Sequence, residues 1–173
     1  MNVLNFAMTA ALALSASAAF AQDAMEKMPA TVADIVMASD DHTTLEQAVI
    51  AADMGKALMG EGPFTVFAPT DAAFAALPEG ALEKALMPEN REMLVQILGC
   101  HVVEARALAA DVAQMVKDDG GTHPVKTIGN CNLNLTLDGD MVKINDTVTV
   151  TAADLQAGNG VVHVVNGVLL PAM

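Results

Sequence analysis

The residues with the greatest capacity for metal chemistry in this 173-residue chain are four histidines and two cysteines. No two histidines stand three or four positions apart, the spacing that places two ligands on one face of a helix. Met25 and Met28 could hold copper(I), but they lie in a short polar stretch that we interpret as a tail. The sequence therefore predicts no metal and no cofactor. We interpret His101 and His163 as packed, hydrogen-bonded residues with a structural role.

Nucleophilic catalysis also has little support in the sequence. Ser39 is the only serine after the first 21 residues, and no Gly-x-Ser-x-Gly motif is present. Acidic pairs such as Asp40-Asp41 and Asp118-Asp119 fall at turn or cap positions, where solvated carboxylates are usual. A calcium loop would need more oxygen ligands at alternate positions. We therefore expect a protein that is not an enzyme.

The first 21 residues have the composition of a secretory signal peptide. The run from Val3 to Phe20 is almost entirely apolar, and Ala19-Phe20-Ala21 is a small-x-small cleavage pattern, although no Lys or Arg precedes the run. A buried helix or a membrane anchor is the alternative. An anchor would need about 20 retained apolar residues, whereas this run contains polar residues. We expect cleavage after residue 21 and export to the periplasm or the medium.

Cleavage would leave a flexible lead-in over residues 22–30 and a single domain over residues 31–173, the size of one ordinary core. The leader carries no charged side chain, so the net charge of −13 belongs to the remainder. A strongly acidic surface repels phosphate backbones and anionic lipid heads. We therefore expect no nucleic-acid partner and no membrane insertion after signal cleavage. The oligomeric state stays open.

Cys100 and Cys131 are the only cysteines. If paired, they would close a loop of about 30 residues and contribute about 3–3.5 kcal/mol, and an exported protein favours such a bond. The alternative is two buried thiols, because Cys131 shares a strand face with three leucines. No Cys-x-x-Cys is present, so a redox-active pair is not expected.

The spacing of apolar residues is helical in the first half of the chain and alternating in the second. Helices are predicted over 32–37, 45–59, 71–77, 81–87, 89–98 and 108–116. Strands are predicted over 64–67, 123–128, 131–137, 141–144, 147–151, and 161–165 continuing to 168–170. Helices first and strands later, with one early strand, indicate an α+β domain built on an antiparallel sheet or sandwich.

Two sequence boxes carry a family resemblance. The first is Thr65-Val-Phe-Ala-Pro-Thr-Asp-Ala-Ala-Phe74, and the second is Asn159-Gly-Val-Val-His-Val-Val-Asn-Gly-Val-Leu-Leu-Pro171, with Ile97-Leu-Gly-Cys-His-Val-Val103 between them. Together they resemble the fasciclin domain in their order, their separation and the closing Leu-Leu-Pro. The resemblance covers about residues 33–171. It implies a compact wedge in which an antiparallel β-sandwich packs against several helices.

Within these boxes the fold-defining residues are Phe64, Phe67, Pro69, Thr70, Asp71, Phe74, His101, His163, Asn166 and Pro171. All the phenylalanines beyond the leader lie in residues 64–74, and there is no Trp or Tyr, so we expect this segment to anchor the core. Residues 161–165 should form a central strand that pairs with the early strand. Two positions depart from the family pattern: Cys100 replaces a tyrosine, and Asn166 replaces an aspartate.

The resemblance also implies adhesion through a protein or polysaccharide partner at a surface. Asp154 and Leu155 align with the Asp-Ile position that some animal fasciclin domains use for integrin contact, which makes them candidate recognition residues. From the local sequence alone we interpret the pair as a helix start or a turn. The alternative function is a periplasmic carrier of a small ligand or a metal.

Overall fold

The computed structural model describes residues 31–170 of the chain, which contain seven α-helices, two short 3₁₀ helices and seven β-strands. The helices are α1 (Val32–Met37), α2 (Thr43–Ala51), α3 (Gly55–Leu58), α4 (Asp71–Ala75), α5 (Ala81–Leu86), α6 (Arg91–Cys100) and α7 (Ala109–Asp118). The strands are β1 (Phe64–Pro69), β2 (Val102–Val103), β3 (Thr122–Lys126), β4 (Asn132–Asp138), β5 (Met141–Ile144), β6 (Val148–Ala157) and β7 (Gly160–Val165). The α+β class predicted from the sequence is confirmed.

Local sequence signals explain where several helices begin. Thr31 forms a capping box with Asp34 at the start of α1, which satisfies backbone donors that the first turn leaves free. Thr70 Oγ1 accepts a hydrogen bond from the Ala73 amide and so caps α4. The expected helix over residues 45–59 is instead two helices, because Asp53 takes a left-handed backbone conformation (φ 57°) that ends α2.

The strands form one sheet in the order β2-β1-β7-β6-β5-β4-β3. Neighbouring strands are antiparallel except β1 and β7, which run parallel from the pair Phe64–Gly160 to the pair Pro69–Val165. A parallel pair requires a long crossover, and the helices and hairpins between the two boxes supply it. As predicted, β7 is a central strand that pairs with the early strand. Residues 168–170, expected to extend it, are not a strand.

Strand β6 joins the two halves of the sheet. Its first residues, Val148 and Thr149, pair with β5, whereas Val150 onward pairs with β7 through two register shifts. Such shifts bend a strand and increase its twist. The bend brings β4 and β5 over β1 and β7, which produces the sandwich.

Two hydrophobic cores follow from this arrangement. The first lies between the helices and one face of β1 and β7, where Val66, Ala68 and Val162 meet helical residues such as Leu94 and Leu98. The second lies inside the sandwich and contains these residues of the two sheet halves and α7: Phe67, Val112, Val116, Leu133, Leu135, Ile144 and Val165. Alternate residues of β1 and β7 thus serve different cores, as the twofold period of a strand requires.

Candidate functional site

The imidazole of His163 links the two boxes to a surface tip. It stacks on the Phe67 ring at a centroid distance of 5.7 Å. Its Nε2–H donates to the Ala107 carbonyl at 2.7 Å, and its Nδ1 accepts from the Asp154 amide at 3.2 Å. Burial lowers the pKa of His163, with the Ala107 hydrogen bond and the Asp154 charge acting in the opposite direction. The neutral ring therefore fixes the backbone of Asp154 to the sandwich.

Asp154 and Leu155 lie inside β6, next to the second of its register shifts. The expectation of a helix start or a turn was wrong. The segment Thr151-Ala-Ala-Asp154 has few β-branched residues to signal a strand. Asp154 takes φ 60°, a conformation that aspartate tolerates better than most residues. The bulge is thus built around this residue.

The side chains of Asp154 and Leu155 are both exposed, and Leu155 is 38% exposed. The Asp154 Oδ1 accepts a hydrogen bond of 2.8 Å from the Ala109 amide at the start of α7. A carboxylate at a helix N-terminus is stabilised by the free amides of the first turn. The result is an exposed acid and an exposed aliphatic side chain at neighbouring positions, with the Asp154 amide held by His163 and the Asp154 carboxylate held by the start of α7.

His101 is a fully buried histidine at the end of α6. Its Nδ1–H donates to the Ile97 carbonyl at 2.8 Å, and its Nε2 accepts from the Leu169 amide at 2.8 Å. Burial lowers the pKa of His101 to about 4, against the opposing effect of the Ile97 hydrogen bond. The uncharged ring therefore joins α6 to the segment that follows β7.

Cys100 and Cys131 form a disulfide with a Cα–Cα distance of 5.3 Å, which confirms the predicted pair. It joins the last residue of α6 to the residue before β4, so one covalent bond links the helical layer to the sandwich. Cys100 is completely buried. At the position where the family resemblance predicts a tyrosine, this chain thus has a disulfide-bonded cysteine that joins α6 to the start of β4.

Asp71 of the first box reaches across to another helix. Its Oδ2 accepts from the Thr43 hydroxyl at 2.6 Å and its Oδ1 accepts from the Thr44 amide at 2.8 Å, which caps α2 from a distance. These hydrogen bonds lower the pKa of Asp71, and the one from the Thr43 hydroxyl has the largest effect.

The three phenylalanines of the first box differ in burial. Phe67 and Phe74 are buried, and Phe64 is half-buried at the edge of the first core.

Asparagines hold the two ends of β7. At the far end, Asn166 Oδ1 accepts from the Thr149 amide at 2.8 Å, and this contact needs no charge. At the near end, Asn159 Oδ1 accepts from the Val32 amide at 2.7 Å, and its Nδ2 donates to the carbonyls of Leu58 and Gly60. No hydrogen-bonding role was predicted for Asn159, because these partners are distant in the chain. Pro171 lies outside the described residues.

The described part of the chain contains no serine–histidine–carboxylate triad around Ser39, the serine considered in the sequence. The Ser39 hydroxyl lies 2.8 Å from His42 Nδ1, but His42 Nε2 is buried without a described hydrogen-bond partner, so no carboxylate completes a triad. Residues 31–170 contain no group of three or more histidine, cysteine or acidic residues that could hold a metal ion. Among those residues, no helix has both the length and the apolar character to cross a membrane.

Comparison with known proteins identifies the family of this chain. The Fasciclin domain model matches residues 40–171. The chain is similar to Protein sll1483 of Synechocystis sp., with 43% identity over 143 residues, covering 83% of this chain and 74% of the relative. It is also similar to the transforming growth factor-beta-induced protein ig-h3 of Sus scrofa, with 33% identity, covering 88% of this chain and 21% of that protein.

The fold agrees with a solved structure, the FAS1 domain pair from the insect cell adhesion molecule Fasciclin I. The TM-score is 0.73 at 18% identity, covering 82% of this chain and 51% of that one. The order of the sequence boxes, the fold and the relatives therefore agree, and the chain belongs to the fasciclin domain family.

Proposed function

We propose that this protein is exported, loses residues 1–21, and acts without enzymatic activity as a single fasciclin domain that adheres to a protein or polysaccharide at a surface. We place the contact site at Asp154 and Leu155 because both residues are exposed and lie on a bulge of β6. A rigid tip loses little conformational entropy when it binds. The carboxylate supplies a charge-assisted acceptor, and the leucine supplies apolar area.

Charge and family support this assignment. A net charge of −13 favours a partner with a cationic or hydrogen-bond-donating surface. Ig-h3 and Fasciclin I carry the same domain, and Fasciclin I is a cell adhesion molecule. Metal transport has no ligand cluster in residues 31–170 to support it. Transport of a small ligand has one observation in its favour, an apolar cavity between α5 and α6.

Site-specific photo-crosslinking would test the contact. A benzophenone amino acid replaces Leu155 in one variant. In the control it replaces Met141, an exposed residue at the start of β5 that follows the acid Asp140. Both proteins are incubated with cell-envelope and extracellular-matrix fractions and irradiated. We expect a discrete crosslinked species from position 155 that position 141 does not give. Equal or absent crosslinking at both positions would reject this tip as the contact.

Export is tested separately. Mass spectrometry of the protein from the producing cell should give a mature N-terminus at Gln22. An intact Met1 in the periplasmic or secreted fraction would contradict cleavage.

A further inference from the structure

A cavity of about 290 Å³ lies in the helical layer, away from the tip on β6. Its walls include Phe74 of α4, Leu82 and Ala85 of α5, Leu94 and Leu98 of α6, and Val168 after β7. This volume is about twice that of an engineered apolar cavity that admits benzene. It is also near the lower end of the range for small-molecule pockets, which suits one short aliphatic chain.

Among the described residues that line the cavity, His101 and Lys84 are the only ones with polar side chains. Both ring nitrogens of the buried His101 are already bonded to the backbone, through Ile97 and Leu169, so this side chain offers a ligand no free hydrogen-bonding group. A polar ligand placed there would lose its hydrogen bonds to water without replacement. The chemistry of the wall therefore selects an apolar group.

The mouth of the cavity, unlike its interior, is exposed to solvent and carries a charged side chain. Met93 and Leu170 line the cavity and are 55% and 54% exposed, so the apolar wall continues to the surface. Lys84 of α5 is the only charged residue among the described lining residues, is exposed, and forms no salt bridge with a described residue. In a chain with 8 basic and 21 acidic residues, a cation at this place favours an anionic head group.

From these features we propose that the cavity binds a single-chain aliphatic carboxylate, with its chain between α5 and α6 and its carboxylate beside Lys84. Binding buries the chain against Leu82, Leu94 and Leu98 and leaves the charged head in solvent at the mouth. This site does not depend on the contact at Asp154, and the two can succeed or fail separately.

The test uses the exported protein with its disulfide intact, titrated with decanoate by calorimetry and followed by methyl NMR of methionines labelled with ¹³C. We expect saturable binding at one site and a shift of the Met93 methyl signal. Ala81→Phe, which places a ring at the half-buried lining of the cavity, should weaken binding at least tenfold. The matched control, Ala113→Phe on α7, is half-buried and lies outside the lining, and should bind like the wild type.

The head group is tested by charge. Lys84→Glu should weaken decanoate binding at least fivefold and leave the affinity for decanol, which has the same chain and no charge, unchanged. Lys117→Glu on α7 is the control for net charge and should change neither affinity. Asp154→Asn should also leave decanoate binding unchanged, which separates this site from the adhesion contact.

Several results would overturn the proposal. One is that neither decanoate nor decanol gives saturable binding to the wild type. Another is that Ala113→Phe weakens binding as much as Ala81→Phe does. A loss of decanol affinity in Lys84→Glu equal to the loss for decanoate would reject the carboxylate assignment. Binding that is seen only after residues 171–173 are deleted would make the chain's own end the occupant.

Discussion

Phe67 and His163 occupy the same register position in the parallel pair of β1 and β7, and their rings stack at 5.7 Å. Phe67 belongs to the first sequence box and His163 to the second, so this contact joins segments that are distant in the chain. The same imidazole then holds the Asp154 amide. The stack therefore connects the core of the sandwich to the proposed contact surface.

Phe67→Ala should destabilise the domain by about 3–5 kcal/mol, because it removes a ring that is 2% exposed from a packed core. Urea unfolding followed by circular dichroism measures the change, since the chain has no Trp or Tyr to report by fluorescence. Phe64→Ala is the control. Its ring is only half-buried, so the loss should be clearly smaller. An unchanged midpoint for Phe67→Ala would refute the placement of this ring.

Gly160→Ala should prevent normal folding. A Cβ at this position would lie against the Phe64 carbonyl oxygen, which belongs to the backbone of β1 and cannot move aside without breaking the parallel pair. Gly55→Ala in α3 is the matched control, because a Cβ there meets nothing within 4 Å. That change should stabilise the protein by about 0.4–1 kcal/mol. The soluble yield and the melting temperature of both variants test this prediction. A Gly160→Ala protein with wild-type yield and melting temperature would contradict the pairing of Gly160 with Phe64.

Acid should destabilise the domain partly through His101. Its pKa falls from 6.5 to about 4 on folding, so the unfolded state binds a proton that the folded state does not bind between these values. Stability is therefore complete above about pH 6.5 and decreases as the pH falls toward 4. Between pH 7.5 and pH 5 the loss from this residue alone is about 2 kcal/mol. The lowered pKa of His163 acts in the same direction.

Urea midpoints at the two pH values measure this loss in the wild type and in His101→Gln. Glutamine lacks a group that titrates in this window, so the pH dependence should be smaller by about 2 kcal/mol, whatever the stability of the variant at neutral pH. An identical pH dependence in both proteins would show that His101 is not the responsible group.

Reduction of the disulfide should lower stability by about 3.5 kcal/mol, because Cys100 and Cys131 are separated by 31 positions and the bond restricts the unfolded chain. Melting with and without a reductant measures the effect, with Cys100→Ser/Cys131→Ser as the permanently reduced form. The reductant should leave that double variant unchanged. Mass mapping without reduction that finds two free thiols in the exported protein would contradict the bond.

Much of the fold could be predicted because its signals are contiguous. The first box reads as a strand, a proline and a capped helix, and the structure places Phe64–Pro69 and Asp71–Ala75 in those roles. The alternation from Cys131 to Leu137 indicated β4 in the same way. Each of these elements is determined by neighbours a few positions apart, and local periodicity reports them.

The features that escaped prediction depend on distant partners. Asn159 accepts a hydrogen bond from Val32, 127 positions away, and no local pattern signals that contact. Strand β6 continues through Ala152 and Asp154 because β7 lies beside them, although their types do not favour a strand. The cavity arises from side chains on four helices and the segment after β7, so it exists only once those elements have packed.

The most direct test of the proposed function is the affinity of the domain for the envelope or matrix component captured at position 155. Leu155→Ser and Asp154→Asn should each weaken this binding at least tenfold while leaving the melting temperature within a few degrees of the wild type. Asp140→Asn on the β4–β5 turn and Met141→Ser at the start of β5 change an exposed pair of the same chemistry and should bind normally. Equal affinity of all four variants would contradict a contact through Asp154 and Leu155.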